Sequence, residues 1–287
     1  MANKGHYRRV GGTRQGIYVC SPSGILLNSV NSLNPDDVLK MIEIGLDKWN
    51  SLPLSDRQVF NDFEPKARHR WENSYPANGM VLNLSKIDLF TDPPLQSERS
   101  DRWNRDYVWF NKDETRLWLP ENPQKGDIYN LPDILSDRLF CFHLVDNTRG
   151  QTLPFAPQEI KESLIEIEVQ DLRNSSIQIK ITGNSKAVSR GPWLFGENDW
   201  TPNYELDHGI STNLLGYATY DLKFEKFTKF EIVSIGKRNG KTKNNGRQNS
   251  PDTGYIGFYF TLAENKSLDR IAPAFVDVYN ADWIIHP

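Results

Sequence analysis

Two runs of alternating apolar residues, Ile165, Ile167, Val169 and Ile177, Ile179, Ile181, constrain this chain more than any other feature. Glu166, Glu168, Gln178 and Lys180 fill the places between them, so the period is two: a strand with one buried face and one wet face. Asn174-Ser175 lies between the runs as turn chemistry and makes them the arms of an antiparallel hairpin. Slipping either arm by one residue would turn its whole apolar set outward, so burial itself sets the register. Further strands are expected at 215–222, 227–235 and 255–262. Ahead of them, Leu135, Leu139 and Phe142 share one face of a helix over 132–144 that also holds Cys141. Residues 131–287 therefore read as an antiparallel β domain with a leading helix, a sandwich or an open barrel.

The first 52 residues carry a different pattern. Ile17-Tyr18-Val19 and Ile25 to Leu27 flank the turn Ser21-Pro22-Ser23-Gly24, which predicts a hairpin over 16–30. Asn34 offers an N-cap, Pro35 suits the first helical position, and Asp36 and Asp37 face the positive end of the dipole. Val38, Ile42, Leu46 and Trp49 continue at helical spacing as the expected buried stripe. The segment TRQGIYVCSPSGILLNSVNS followed by NPDDVLKMIEIGLDKW resembles the hairpin and last helix that close a thioredoxin-like domain. It is similar to bacterial proteins in which such a domain precedes a long C-terminal region. The resemblance implies an α+β chain with a partial thioredoxin-like piece at 1–52. That family's cis-proline would precede the hairpin, where this chain has Thr13-Arg14-Gln15-Gly16, and its redox cysteines would lie earlier still. No catalytic residue of the family carries over.

Between these parts, residues 53–130 read as an irregular connector rich in Pro, Trp and Arg/Asp pairs. Met80 to Phe90 could supply one strand there, and Asn111 with Glu114 form a capping box for a short helix. Because the N-terminal piece lacks the rest of a thioredoxin sheet, Trp71 or Trp103 is expected to fill the vacant place beside it.

Composition narrows the function classes. The chain has 287 residues, a net charge of −3 and two cysteines, Cys20 and Cys141, in no CxxC pair. A local dithiol or thiolate metal site is therefore not expected, nor a general attraction to nucleic acid. No apolar run approaches the roughly 18 residues that span a bilayer. Met1 to Arg9 is basic with no apolar stretch after it, so the chain reads as cytoplasmic as written and as exported if its natural start lies earlier. The histidines, His6, His69, His143, His208 and His286, form no HxH or HExxH spacing, and no phosphate cradle or GxSxG is present. No cofactor and no metal are expected; the partner is an unspecified small molecule or protein.

Three stretches gather polar chemistry. FHLVDNTRGQTLPF brings His143, Asp146, Asn147 and Arg149 together after a helix end, as a binding site or as plain turn capping with Arg149 paired on the surface. PWLFGENDWTPNYELDH sets Trp193 and Trp200 beside Glu197, Asp199 and His208, groups suited to a sugar or to plugging a barrel end. GKRNGKTKNNGRQN carries Lys237, Arg238, Lys241, Lys243 and Arg247, an anion contact or a solvated hairpin tip. The reading is a non-catalytic binding or structural protein without thioredoxin redox chemistry. A hydrolase on a polar or carbohydrate-like substrate, using the 142–150 and 193–208 loops, is the alternative. A second alternative is the C-terminal part of a thioredoxin-family redox protein with a misassigned start.

Overall fold

The computed structural model describes residues 16–58, 75–89, 103–173, 175–190, 207–242, 245–264, 266 and 269–275. The chain divides into two units, 1–66 and 67–287.

In the first unit, β1 (Ile17–Cys20) and β2 (Leu26–Val30) pair antiparallel, with Ile17 opposite Val30. The helix α1 (Pro35–Ser51) starts as its sequence requires: the Asn34 side chain accepts the Asp36 N–H at 2.9 Å. Its buried face runs through Met41 and Gly45, however, while Ile42 and Leu46 are exposed. The helix is rotated because Gly45 lets it approach β1, where an added Cβ would stand 3.0 Å from Val19 Cγ1. Asn28 Nδ2 and Lys48 Nζ, which donate to Met41 O and Leu27 O, fix the same orientation. The short helix α2 (Leu54–Arg57) ends the described part of this unit.

The second unit is built on one eight-stranded antiparallel sheet, not on two stacked sheets. Its strands are β3 (Met80–Leu89), β4 (Trp103–Phe110), β5 (Ile128–Asn130), β6 (Ile160–Arg173), β7 (Ser176–Ser189), β8 (His208–Asp221), β9 (Lys226–Asn239) and β10 (Thr253–Leu262). The order across the sheet is β4-β3-β10-β9-β8-β7-β6-β5. The long hairpin expected from the alternating isoleucines is β6–β7, with Ile167 opposite Ile181, and all six apolar residues are at most 1% exposed. The irregular connector expected over 53–130 instead supplies three strands of this sheet, of which only β3 was expected; β4 and β5 were unforeseen. Trp103 lies on the outward side of β4, 58% exposed. Trp71 lies outside the described residues.

Against the inner face pack the short helices α3 (Lys112–Arg116) and α4 (Asp133–Arg138), a π-helical turn over Leu139–His143, and the indole of Trp118. The expected helix over 132–144 is thus α4 continued by a wider turn, with Cys141 buried in it. Asn111 and Glu114 form the expected capping box at α3. The Glu114 carboxylate also takes two bonds from Arg138, at 2.5 and 2.8 Å, while Arg138 Nη1 reaches Trp109 O at 2.7 Å. One acid therefore caps α3 and anchors α4.

Candidate functional site

The inner face of the sheet changes character along its strands. On β3 the inward positions read Met80, Leu82, Leu84, then Lys86 and Asp88; on β9 they read Phe230, Ile232, Ser234, Gly236, then Arg238. On β4 the inward Asp106 precedes Val108 and Phe110. Register places these polar positions together, since Ile256 of β10 lies opposite both Asp88 and Gly236. The polar end of the core is covered by the segment after the π-turn and by the loop joining β9 to β10.

Arg247 of that loop is the centre of the cluster. Its Nη1 and Nη2 donate to the two oxygens of Asp88, each at 2.7 Å, while Nη2 and Nε reach Asp146 at 2.6 and 3.0 Å. A planar fork that meets a carboxylate through two parallel N–H···O bonds is a strong, geometrically specific ion pair. Arg149 donates from Nε to Asp88 and from Nη1 to Ser250 Oγ at 3.0 Å. Arg238 binds the backbone oxygens of Gly240, Pro251 and Asp252 at 3.2–3.3 Å, with Nε 3.7 Å from Asp146. Three of the loop's own N–H groups are satisfied too: Thr242 N–H by Asn245 Oδ1, Asn245 N–H by Thr242 Oγ1, and Arg247 N–H by Thr242 O. Gly240 opens the loop at φ 94°, a conformation that disfavours other residues, and an added Cβ would also strike His208 at 2.7 Å.

A second group adjoins the first. His143 Nδ1 lies 3.0 Å from Asp106 Oδ2, and Lys86 Nζ lies 3.8 Å from the same oxygen and 2.8 Å from Asn147 Oδ1. Asp106 Oδ1 accepts the N–H of Tyr107 and of Ala274, both at 2.8 Å. Burial lowers the His143 pKa, so the ring is neutral at pH 7 and donates its Nδ1 proton to Asp106. Burial would raise the Asp106 carboxyl, but His143, Lys86 and the Ala274 N–H hold it at about 2. Burial lowers Lys86 to about 8 against the pull of Asp106 and Asp146. The Arg247 guanidinium is held charged by Asp88 and Asp146, which outweigh its burial.

These placements revise several expectations. Arg238 and Arg247 are each 1% exposed, so these two do not stand in solvent, and both guanidinium groups already hold carboxylates or carbonyls. Lys237 points to the outward face and Lys241 Nζ meets Ser250 O at 3.2 Å, both on exposed residues; Lys243 lies outside the described residues. Arg149 is buried rather than paired on the surface. Asp146, Asn147, Arg149 and His143 do meet, and their partners are the strand residues Lys86, Asp88 and Asp106. His208 stands apart from that group at the start of β8, its ring stacked on Phe155 at 5.4 Å. Trp193, Glu197, Asp199 and Trp200 lie outside the described residues, so the joining of the two loops is not part of this geometry. Among the described residues no group of three or more His, Cys, Asp or Glu could hold a metal ion.

The strand acids and the lysine were legible in one respect. Lys86 and Asp88 continue the inward parity of Met80, Leu82 and Leu84, so charge on a buried register was the signal. No family model matches the chain, and neither the curated proteins nor the solved structures contain a match to it.

Proposed function

We propose that the chain is a non-catalytic structural or binding protein whose second unit is a β scaffold locked at one end by buried ion pairs. The observation that supports this reading is closure: Lys86 and His143 are 0% exposed, Asp106 3% and Arg247 1%, and each has its charge or polar edge met by a neighbour. A general acid or base must reach its substrate within hydrogen-bond distance, and a sealed dyad does not. The surface left to a partner includes the outward side of the sheet, where Trp103, Val233 and Ile235 are each at least half exposed. The first unit's strand, turn, strand, helix order agrees with a closing piece of a thioredoxin-like fold, and we keep that kinship as part of the proposal, without its redox chemistry.

Footprinting with diethyl pyrocarbonate tests the reading. In the native chain, His143 is expected to be modified at least tenfold more slowly than in urea. Modification of native His143 at the unfolded rate would show a site open to small molecules and would favour the hydrolase.

A further inference from the structure

The geometry points to a self-formed covalent cross-link, an isopeptide bond between the Lys86 side chain and the Asn147 side chain. Lys86 Nζ donates to Asn147 Oδ1 at 2.8 Å, both residues being buried. With an amide C=O of about 1.2 Å, the Asn147 Cγ is no farther than about 4 Å from the amine. That is close to the roughly 3–3.5 Å of a near-attack arrangement. Both groups are held. Asn104, opposite Lys86 on the neighbouring strand, donates from Nδ2 to Asn147 O at 3.0 Å, and the Phe258 ring lies 6.0 Å from Nζ. The Asp106 carboxylate, 3.8 Å from Nζ and fixed by His143 and two backbone N–H groups, faces the amine as a transient proton relay; held at about 2, it passes a proton on and does not keep it.

The reaction balances without any co-reactant. The Lys86 ammonium passes a proton to Asp106, and the free amine attacks Asn147 Cγ. The C–N bond to the side-chain NH2 then breaks. Protons from Lys86, one relayed through Asp106, leave on that nitrogen, which departs as ammonium, and Asp106 returns to carboxylate. One ammonium enters and one leaves. Burial lowers Lys86 to about 8, so free amine is accessible near neutral pH. The charge balance around the site agrees. Lys86, Arg149, Arg238 and Arg247 are four cations against the three carboxylates Asp88, Asp106 and Asp146, an excess of one. Converting Lys86 to an amide leaves three against three. The bond would close a 61-residue loop between β3 and the segment beyond the π-turn, restricting the unfolded chain as a disulfide does, in a molecule whose two cysteines form no disulfide.

Intact-mass spectrometry of the purified full chain, followed by proteolytic mapping, tests this. The folded wild-type chain is expected to be lighter than its sequence by one ammonia, with a branched peptide joining Lys86 to Asn147. Lys86→Arg and Asp106→Asn are expected to show the full mass. A folded wild-type chain of full mass would overturn the proposal. So would an ammonia loss that persists in Lys86→Arg, since cyclisation at Asn239-Gly240 or Asn245-Gly246 gives the same mass change without the lysine. If either variant fails to fold, the wild-type mass and the presence or absence of the branched peptide decide the matter alone.

Discussion

Arg247→Met removes the guanidinium at the centre of the cluster and keeps a long side chain of similar reach. Asp88 then retains Arg149, and among the described residues Asp146 keeps Arg238 Nε at 3.7 Å as its ion pair. Breaking a buried pair by deleting one partner costs about 3–5 kcal/mol, because a desolvated charge is left without its match. For a unit of this size each kcal/mol moves the melting temperature by about 2–4 °C, so Arg247→Met is expected to melt lower by roughly 6–20 °C in thermal circular dichroism. Adding Asp146→Asn removes the carboxylate that was stranded, and the double variant is expected to be more stable than the sum of the singles implies, by about 1–3 kcal/mol. A melting temperature within about 2 °C of wild type, or strictly additive losses, would mean that the cluster is hydrated and exchangeable, and the reasoning would fail.

Three other perturbations have definite outcomes. His143 is neutral when folded, with a pKa below its usual 6.5, and Asp106 is held at about 2 against a usual 3.8. Unfolding therefore takes up protons at both, so stability present above pH 6.5 declines as pH falls, first through His143 and below about 4 also through Asp106. Burial lowers the His208 pKa as well, so the stability read from urea unfolding should fall between pH 7 and 5 with a slope no steeper than about 2.8 kcal/mol per pH unit for the two histidines, and His143→Gln should reduce that slope without abolishing it; a stability that rises on acidification contradicts the assignment. Burial pushes the Cys141 thiol up to about 12, so a thiol reagent should label Cys20 in the native chain and Cys141 only after unfolding, and insulin reduction should stay at background in wild type and in Cys20→Ser alike. Ile179→Ala, at a fully packed position of β7, is expected to cost about 2–5 kcal/mol in urea unfolding, whereas the outward Lys180→Ala should change stability by less than about 0.5 kcal/mol.

The elements legible in the sequence are those whose causes are local. The alternation of Ile165 to Ile181 and the caps at Asn34 and Asn111 each act within a few residues, and the structure has them where the pattern puts them. β4 was not legible, because its inward Asp106 breaks the apolar alternation that marks a half-buried strand. The face of α1 shifted because a glycine contact with Val19, not apolar spacing, decides which side approaches the hairpin. The candidate site was half legible. His143, Asp146, Asn147 and Arg149 stand close in sequence, but Asp88 and Arg247 are 159 residues apart and are joined only when β3 and the β9–β10 loop reach the same end of the sheet. The basic run at 236–249 suggested solvent because its counter-ions, Asp88 and Asp146, lie far away along the chain. A lone basic stretch cannot announce acids that only the sheet brings to it.

Hydrogen–deuterium exchange over residues 240–252 tests the central claim most directly. By composition this is a polar loop of Gly, Lys, Asn and Arg; in the structure it is fastened to the sheet through Arg247, Arg238 and Ser250, with the Gly240, Thr242, Asn245, Arg247 and Ser250 N–H groups all donating. If buried ion pairs lock that end of the scaffold, those amides exchange as slowly as the adjoining residues of β9, and Arg247→Met speeds the loop by at least tenfold while sparing β9. Exchange of the wild-type loop within seconds, at the rate of an unstructured peptide, would show an open hairpin tip and contradict the account.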